Sequence, residues 1–211
     1  MSFYPLKFPK ILTYIFPNLI TEIPNKQNQV FLTFDDGPTP EITHFVLDLL
    51  DKYNAKATFF CIGNNIEKHP EILREIKQKK HAVGNHTFQH DDAWKYSDNE
   101  YFKSIEKTRK ILAENGVDSH LFRPPFGRLT PGKIRLLNRQ NYKIVMWRLI
   151  TGDYNRKINT EKVANKIIKQ TKSGDVIVFH DSLKAFDKLK VMLPLILAGL
   201  SKKGFVFSKI A

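Results

Sequence analysis

Two neighbouring carboxylates stand where an apolar segment of the sequence ends. Asp35 and Asp36 directly follow Val30–Phe34 and precede Gly37-Pro38, a pair that does not continue a strand. Because adjacent side chains point in different directions, one carboxylate can bind a metal ion while the other accepts a proton. The alternative is a simple turn, since Asp and Gly are common turn residues.

Two imidazoles are four positions apart in the segment His86-Thr87-Phe88-Gln89-His90. This spacing lets both rings reach one metal ion from a single turn of chain. With one aspartate they would form a three-residue ligand set that leaves positions open for water, which is typical of a catalytic metal centre. The chain has 7 histidines, so the alternative is an ordinary pair of core or surface histidines.

Further polar groups follow other apolar segments. His180 ends Val176–Phe179, where an imidazole can act as a general acid or can be a core histidine bonded to a backbone carbonyl. Asp153 and Asp181 are the candidates to orient His180. Arg123 can anchor a carboxylate or form a structural ion pair.

The order of segments indicates an α/β fold. From about residue 29, short β-branched or aromatic segments alternate with helical patterns, as in βα units. The sequence predicts seven strands, at Val30–Phe34, Ala57–Ile62, His81–Gly84, Leu121–Arg123, Tyr142–Trp147, Asp175–His180 and Phe205–Ile210. Repeated βα units form either a barrel or a doubly wound open sheet, and both place chemistry beyond the carboxyl ends of the strands. The polar groups described above are therefore expected to meet in one cleft.

Capping patterns predict where helices begin. The expected starts are at Thr39-Pro40, at the capping box Ser97 to Glu100, at Thr130-Pro131 and at Thr160. Leu189–Leu200 is predicted as an apolar helix with Pro194 in its first turn.

The composition indicates one globular domain. The 211 residues are 42% hydrophobic, and no low-complexity tract or internal repeat is present. We expect residues 1–28 to be an extension packed on a catalytic domain at residues 29–211, and the protein to be a monomer. Cys61 is the only cysteine, so it forms no internal disulfide and is expected to be buried.

The net charge of +13 favours acidic partners. Because the basic residues are scattered and no nucleic-acid motif is present, we do not expect nucleic-acid binding, whereas an anionic glycan would use the same charge. Pro9 and Pro17 interrupt the partly apolar stretch Lys7–Ile20, which also lacks a small-residue cleavage site. The sequence thus predicts neither a transmembrane helix nor a signal peptide, which indicates a cytoplasmic protein or one whose export signal is missing.

These motifs together resemble the polysaccharide deacetylase family, the NodB-homology domain of carbohydrate esterase family 4. The resemblance runs from about Gln29 to Ile210. It rests on four motifs in the family's order, which are Thr33-Phe34-Asp35-Asp36-Gly37-Pro38, His86-Thr87-Phe88-Gln89-His90, Arg123-Pro124-Pro125-Phe126 and Val178-Phe179-His180. It implies a distorted (β/α) barrel with about seven strands, similar to a TIM barrel.

The resemblance also implies a metal-dependent reaction. Asp35 would be the catalytic base, and Asp36, His86 and His90 would bind one divalent metal ion. Zn²⁺ is the first choice, with Co²⁺ and Ni²⁺ as alternatives, because an Asp-His-His set does not select among them by affinity alone.

The remaining matched positions would act on the substrate or on these groups. Arg123 would hold Asp35, and the backbone N–H of Phe126 would help to bind an oxyanion. His180 would be the catalytic acid, with Asp153 tuning it.

The fourth family motif, Asp-x-x-Asp-Trp, is altered in this chain. Ile150 replaces its first Asp and Tyr154 replaces its Trp, while Asp153 is kept. The altered wall of the cleft leaves the range of substrates open. Arg148 lies nearby in the sequence and adds a positive charge.

The activity that the resemblance implies is removal of acetyl groups from the N-acetylated sugars of a glycan, of peptidoglycan or chitin type, with release of acetate. One alternative is an O-acetyl esterase on the same scaffold, and another is an inactive glycan-binding member of the fold. A non-haem iron oxygenase also uses two histidines and one carboxylate. It would leave Asp35, Arg123 and His180 without a role.

Overall fold

A computed structural model describes residues 19–211 of the chain. Most of the predicted extension 1–28 and most of the stretch Lys7–Ile20 lie in residues 1–18, outside the described residues. The predictions made for these segments therefore stay predictions, and so does the division of the chain at residue 28. Within the described part of that segment, Leu19–Ile20 forms a strand, and the Ile23 N–H donates to the carbonyl of Gly174 at 2.8 Å.

The described residues form nine strands, seven α-helices and a 3₁₀ turn at Pro125–Gly127. The strands are β1 Leu19–Ile20, β2 Gln29–Asp35, β3 Ala57–Cys61, β4 Ala82–Asn85, β5 Leu121–Phe122, β6 Lys143–Val145, β7 Leu149–Ile150, β8 Val176–His180 and β9 Val206–Phe207. The helices are α1 Ile42–Lys52, α2 Gly63–Lys68, α3 Pro70–Gln78, α4 Asp98–Glu114, α5 Pro131–Arg139, α6 Thr160–Gln170 and α7 Phe186–Lys202. All seven predicted strands overlap observed ones, and the two-residue strands β1 and β7 were not predicted.

The strands form one curled parallel sheet in the order β1-β6-β5-β4-β3-β2-β8-β7, with β9 paired to the start of β2. Within residues 19–211, β1 and β7 end this order without pairing to each other, so the barrel is open between them. The expected distorted (β/α) barrel is confirmed. Its parallel strands bring their carboxyl ends to one rim, where the chemistry of such folds is placed.

Two of the predicted helix starts are confirmed in detail. The Glu100 N–H donates to the Ser97 hydroxyl, and the Glu100 carboxylate accepts from the Ser97 N–H, which completes the capping box. The Lys133 N–H donates to Thr130 Oγ1 at 3.3 Å, with Pro131 as the first residue of α5.

Three helix expectations were wrong. Helix α1 begins at Ile42, and the Thr39 hydroxyl does not cap it. The contacts of Thr39 with Thr43 are made by its backbone, whose N–H donates to the Thr43 hydroxyl and whose carbonyl accepts from the Thr43 N–H. The side chain of Asn159 caps α6, one residue before the expected Thr160. Helix α7 begins at Phe186, so Pro194 lies in its interior, where it removes one backbone hydrogen bond.

Strand β2 separates two parts of the core. Its odd-numbered residues face the barrel interior, where Phe31 packs with Phe60 and Val176, while its even-numbered residues pack toward the helices. Phe34 lies between the rings of Phe59 and Phe179 at centroid distances of 5.1 and 5.4 Å. This alternation places Asp35 on the interior side, at the rim.

Two further features bear on the sequence-based expectations. Cys61 is buried in the layer between sheet and helices, as predicted. None of the helices in the described part of the chain is long and apolar enough to cross a membrane.

Candidate active site

The register of two central strands brings Asp35 and His180 together. Asp35 is the Cα partner of His180 in the parallel pair β2 and β8. Both residues stand at the carboxyl ends of their strands, so their side chains emerge side by side at the rim. Two groups separated by most of the chain therefore share one cleft.

Arg123 fixes the carboxylate of Asp35 from inside the barrel. Its guanidinium is fully buried, and Nη1 donates to Asp35 Oδ1 at 2.7 Å. The other donors bind Thr33 Oγ1 and the carbonyls of Val145 and Met146 at 2.7 to 3.0 Å. Burial lowers the pKa of Arg123 and the charge of Asp35 opposes this change. The pair is a buried ion pair in which each guanidinium nitrogen is hydrogen-bonded, and its geometry is set by four partners.

The chain turns sharply after Asp35. Asp36 has a φ of +81°, in the left-handed region that residues other than glycine seldom adopt. Its carbonyl accepts from Asn65 Nδ2 at 2.8 Å, and the carbonyl of Gly37 accepts from the Ile62 N–H at 2.9 Å. The two adjacent carboxylates have different partners, since Asp35 binds Arg123 whereas Asp36 Oδ1 faces the imidazoles of His86 and His90.

His86 and His90 lie on an irregular loop after β4, not on one helical turn. Thr87 and His90 have φ values of +65° and +59°. The Thr87 N–H donates to Asn85 Oδ1, and the Asp91 N–H donates to the Thr87 hydroxyl, which together hold the loop. Backbone strain of this kind persists where the surrounding contacts impose it, often at functional sites.

The environment of His86 fixes its tautomer. Its Nδ1 lies 2.7 Å from the carbonyl of Arg123, and because a carbonyl only accepts, Nδ1 carries the hydrogen. Burial, together with the nearby His90, lowers the pKa of His86 to about 3. The ring is therefore neutral and presents the lone pair of Nε2 toward Asp36, as a metal-binding histidine does.

Asp36, His86 and His90 form a cluster that suits a divalent metal ion. Their ligand atoms all lie within 4.8 Å of one another, and Asp36 Oδ1 is 3.8 Å from His86 Nε2 and 3.4 Å from His90 Nε2. Asp36 Oδ1 is buried without a hydrogen-bond partner among the described residues. A buried carboxylate oxygen facing two imidazole nitrogens is a suitable donor set for Zn²⁺ or a similar ion.

One carboxylate holds the imidazole of His180. Nδ1 of His180 lies 2.7 Å from Asp153 Oδ1, and its backbone N–H donates to Asp153 Oδ2 at 2.8 Å. Burial lowers the pKa of His180, but the charge and hydrogen bond of Asp153 outweigh burial and raise it to about 9. His180 is therefore protonated at neutral pH.

Two other charged residues lie elsewhere than the sequence suggested. Asp181, the second candidate to orient His180, instead accepts from the Gly37 N–H and the Thr43 hydroxyl. Arg148 lies at the opposite end of the sheet. Its backbone N–H donates to the carbonyl of Val176 at the start of β8, and its side chain is 3.8 Å from Glu22. Arg148 therefore adds no charge to the cleft.

The site opens into a cleft of about 820 Å³ whose wall includes the altered fourth motif. Ile150 and Tyr154 both line it, and the Tyr154 ring meets the His180 ring edge-on at 5.0 Å. Phe126, with a φ of +59°, lies against His90 at a centroid distance of 4.5 Å. Lys184 lies over Tyr154 at 5.5 Å from the ring centroid and adds positive charge to the rim.

Sequence reasoning missed an aromatic cluster beside the cleft. The guanidinium of Arg128 lies 4.5 Å from the ring centroid of Trp94 and 5.4 Å from that of Phe126, and Asp92 binds it at 2.6 Å. Trp94 is 64% exposed. The sequence signal for this cluster is position alone, because Trp94 closely follows the second motif and Arg128 closely follows the third.

Known proteins match this chain in sequence. A family model described as polysaccharide deacetylase matches residues 22–145. Two proteins of Bacillus cereus, each named peptidoglycan-N-acetylglucosamine deacetylase, are 35% and 33% identical over 79% and 88% of this chain. The aligned parts make up 63% of the first relative and 88% of the second, so the chain spans less than two thirds of the first. A chitooligosaccharide deacetylase of Azorhizobium caulinodans is 32% identical over 75% of this chain and 76% of its own length.

Solved structures match in fold. The crystal structure of a peptidoglycan N-acetylglucosamine deacetylase, in complex with 4-naphthalen-1-yl-N-oxidanyl-benzamide, has a TM-score of 0.84 at 32% identity and covers 94% of both chains. A family 4 carbohydrate esterase from Streptomyces lividans, in complex with acetate, has a TM-score of 0.77 at 26% identity over 87% of this chain and 93% of its own. With a family match over more than half of its length and relatives above 30% identity, the chain belongs to the polysaccharide deacetylase family.

Proposed function

We propose that this protein is a metal-dependent hydrolase that removes acetyl groups from the N-acetylated sugars of a glycan and releases acetate. One observation carries the proposal: a single cleft joins a metal-type cluster, a carboxylate fixed by a buried arginine and an imidazole held by a buried aspartate. The relatives named for peptidoglycan and chitooligosaccharide deacetylation support N-acetylglucosamine glycans as the substrate class.

Asp36, His86 and His90 would hold one divalent metal ion, with Zn²⁺ as the first choice and Co²⁺ or Ni²⁺ as alternatives. When bound, such an ion polarises a carbonyl and lowers the pKa of a water molecule. The neutral state of His86 and the unpartnered oxygen of Asp36 support this assignment.

Asp35 would act as the general base. Arg123 binds its Oδ1, which leaves Oδ2 to accept the proton of the attacking water. Because Arg123 is itself held by three other acceptors, the carboxylate cannot rotate toward the metal ligands without losing a buried ion pair. The two adjacent aspartates thus have separate roles.

The developing oxyanion would be bound by the backbone N–H of Phe126, beside His90. His180 would then protonate the nitrogen of the sugar as the carbon–nitrogen bond breaks, giving acetate and a free amino sugar. Its raised pKa supports this role, because the ring carries a proton at neutral pH.

Acetate release from a panel of glycans tests the proposal. The panel contains peptidoglycan, N-acetylglucosamine oligomers and O-acetylated xylan, each assayed with and without a chelator, and both acetate and free amine are measured. We expect chelator-sensitive release of acetate and amine in equal amounts from at least one N-acetylated glycan. Acetate from xylan alone would indicate an O-acetyl esterase, and no acetate from any metal-loaded sample would indicate a glycan-binding protein without activity.

A further inference from the structure

Asp181 is a fully buried carboxylate beneath the turn that carries Asp35 and Asp36, and the proposed mechanism gives it no task. It follows His180 directly in the chain, so it belongs to the end of β8. Burying a polar group is costly unless it is hydrogen-bonded, so the partners of Asp181 indicate its purpose.

Three hydrogen bonds join Asp181 to neighbouring elements. Its backbone N–H donates to the carbonyl of Asp35 at 3.0 Å, and its Oδ1 accepts from the Gly37 N–H at 3.1 Å. Its Oδ2 accepts from the Thr43 hydroxyl at 2.6 Å. The first two bonds reach the residues on either side of Asp36.

Thr43 orients the carboxylate in turn. Its Oγ1 accepts from the Thr39 N–H at 2.8 Å, so its own hydrogen is directed at Asp181. Asp181 and Thr43 are both fully buried, so these bonds are shielded from solvent. The carboxylate is therefore fixed in one rotamer against the turn.

The turn needs such a constraint. Asp36 holds a left-handed φ of +81°, a conformation that costs free energy for a residue with a side chain. A Cβ at Gly37 would lie 2.1 Å from Asp181 Oδ2, so the carboxylate occupies the space of any side chain at that position. Asp181 therefore explains both the glycine and the direction in which Asp36 leaves the strand.

We propose that Asp181 is a positioning residue that aims the Asp36 carboxylate at His86 and His90 and thereby sets the affinity of the metal site. The proposal rests on the metal-ligand set of the proposed function. Asn65 also holds the turn, through the carbonyl of Asp36, so loss of Asp181 should weaken the site without abolishing it. Partners of metal ligands typically contribute about 10- to 100-fold to metal affinity.

Zn²⁺ affinity, measured by competition with a chromophoric chelator, tests the proposal without any assay of activity. We expect Asp181→Ala to weaken Zn²⁺ binding by about tenfold or more. Asp181→Asn should have a smaller effect, because its amide oxygen can still accept from the Gly37 N–H. Asp175→Ala is the matched control, because Asp175 is a buried aspartate at the opposite end of β8. This variant should bind Zn²⁺ as tightly as the wild type does.

Each failure has a separate meaning. If the wild type and His86→Ala bind Zn²⁺ equally well, the proposed metal site itself is wrong. If Asp181→Ala does not fold by circular dichroism, Thr43→Val replaces it, because that variant removes the hydroxyl that orients Asp181 and should weaken Zn²⁺ binding several-fold. Wild-type affinity in every folded variant at positions 181 and 43, with His86→Ala impaired, would overturn the role of Asp181.

Discussion

A single buried aspartate controls both the orientation and the charge of His180. The backbone N–H of His180 donates to one oxygen of Asp153 and holds that carboxylate in place, and the other oxygen binds Nδ1 of the ring, so the imidazole cannot turn without losing this contact. The charge of Asp153 also keeps the ring protonated, with a pKa of about 9. In the proposed mechanism, Asp153 thereby prepares His180 to protonate the leaving amine.

The effect of His180→Ala should depend on the leaving group. An amine must be protonated as it leaves, so N-deacetylation should fall by about a hundredfold or more. Cleavage of an activated aryl acetate should fall much less, because a phenolate leaves without a proton. The measurement is kcat/KM for both substrates on one metal-loaded preparation. Equal loss for both, with metal retained, would mean that His180 positions water or substrate and does not supply the proton.

Asp153→Asn should change the pH dependence of the reaction. Removing the opposite charge lowers the pKa of His180 from about 9, and the acid form, which is present below the pKa, is then lost at lower pH. The alkaline limb of the kcat/KM profile should move down by about one pH unit or more. Profiles of the wild type and the variant on one N-acetylated oligosaccharide provide the test, and an unmoved alkaline limb would contradict it.

At the scale of elements, the sequence predicts those features that a few adjacent residues determine. The capping box at Ser97 and the strand that ends in His180 are local patterns, and both are confirmed. Strands β1 and β7 have two residues each, which is too short to show an alternating pattern. The expectation that Arg148 adds charge near the cleft was wrong for the same reason. Arg148 directly precedes the unpredicted strand β7 and therefore lies at the end of the barrel opposite the cleft.

The capping box offers a test of helix stability away from the site. Ser97→Ala removes the acceptor of the Glu100 N–H and should lower the free energy of unfolding by about 1 kcal/mol. Ser201→Ala, an exposed change in the last turn of α7, is the control and should have little effect. Urea unfolding of both variants measures the difference, and equal stability of the two would argue against the cap.

At the scale of the whole molecule, the barrel makes the site predictable in outline. Parallel strands bring their carboxyl ends to one rim, so the convergence of Asp35, His86 and His180 follows from the order of strands. The contacts within the site do not follow in this way. The left-handed turn at Asp36, the bonds of Asp181 and the stacking of Arg128 on Trp94 depend on packing between distant segments, which local patterns do not record.

The proposed metal ion should stabilise the whole protein. A ligand that binds only the native state adds about 2.7 kcal/mol when its concentration is a hundred times its Kd. Adding Zn²⁺ to chelator-treated protein should therefore raise Tm, and Asp35→Asn should keep that shift because its side chain faces Arg123. His86→Ala should lose it. The same shift of Tm in His86→Ala as in the wild type would place the ion elsewhere.

The most direct test is a Zn²⁺ titration of metal-free protein, with acetate and free amine measured on an N-acetylglucosamine oligomer. One cluster of Asp36, His86 and His90 predicts that activity returns in proportion to added Zn²⁺ and reaches its plateau at about one ion per chain. Each acetate released should be matched by one free amine. Full activity before any metal is added, or acetate without amine, would contradict the account.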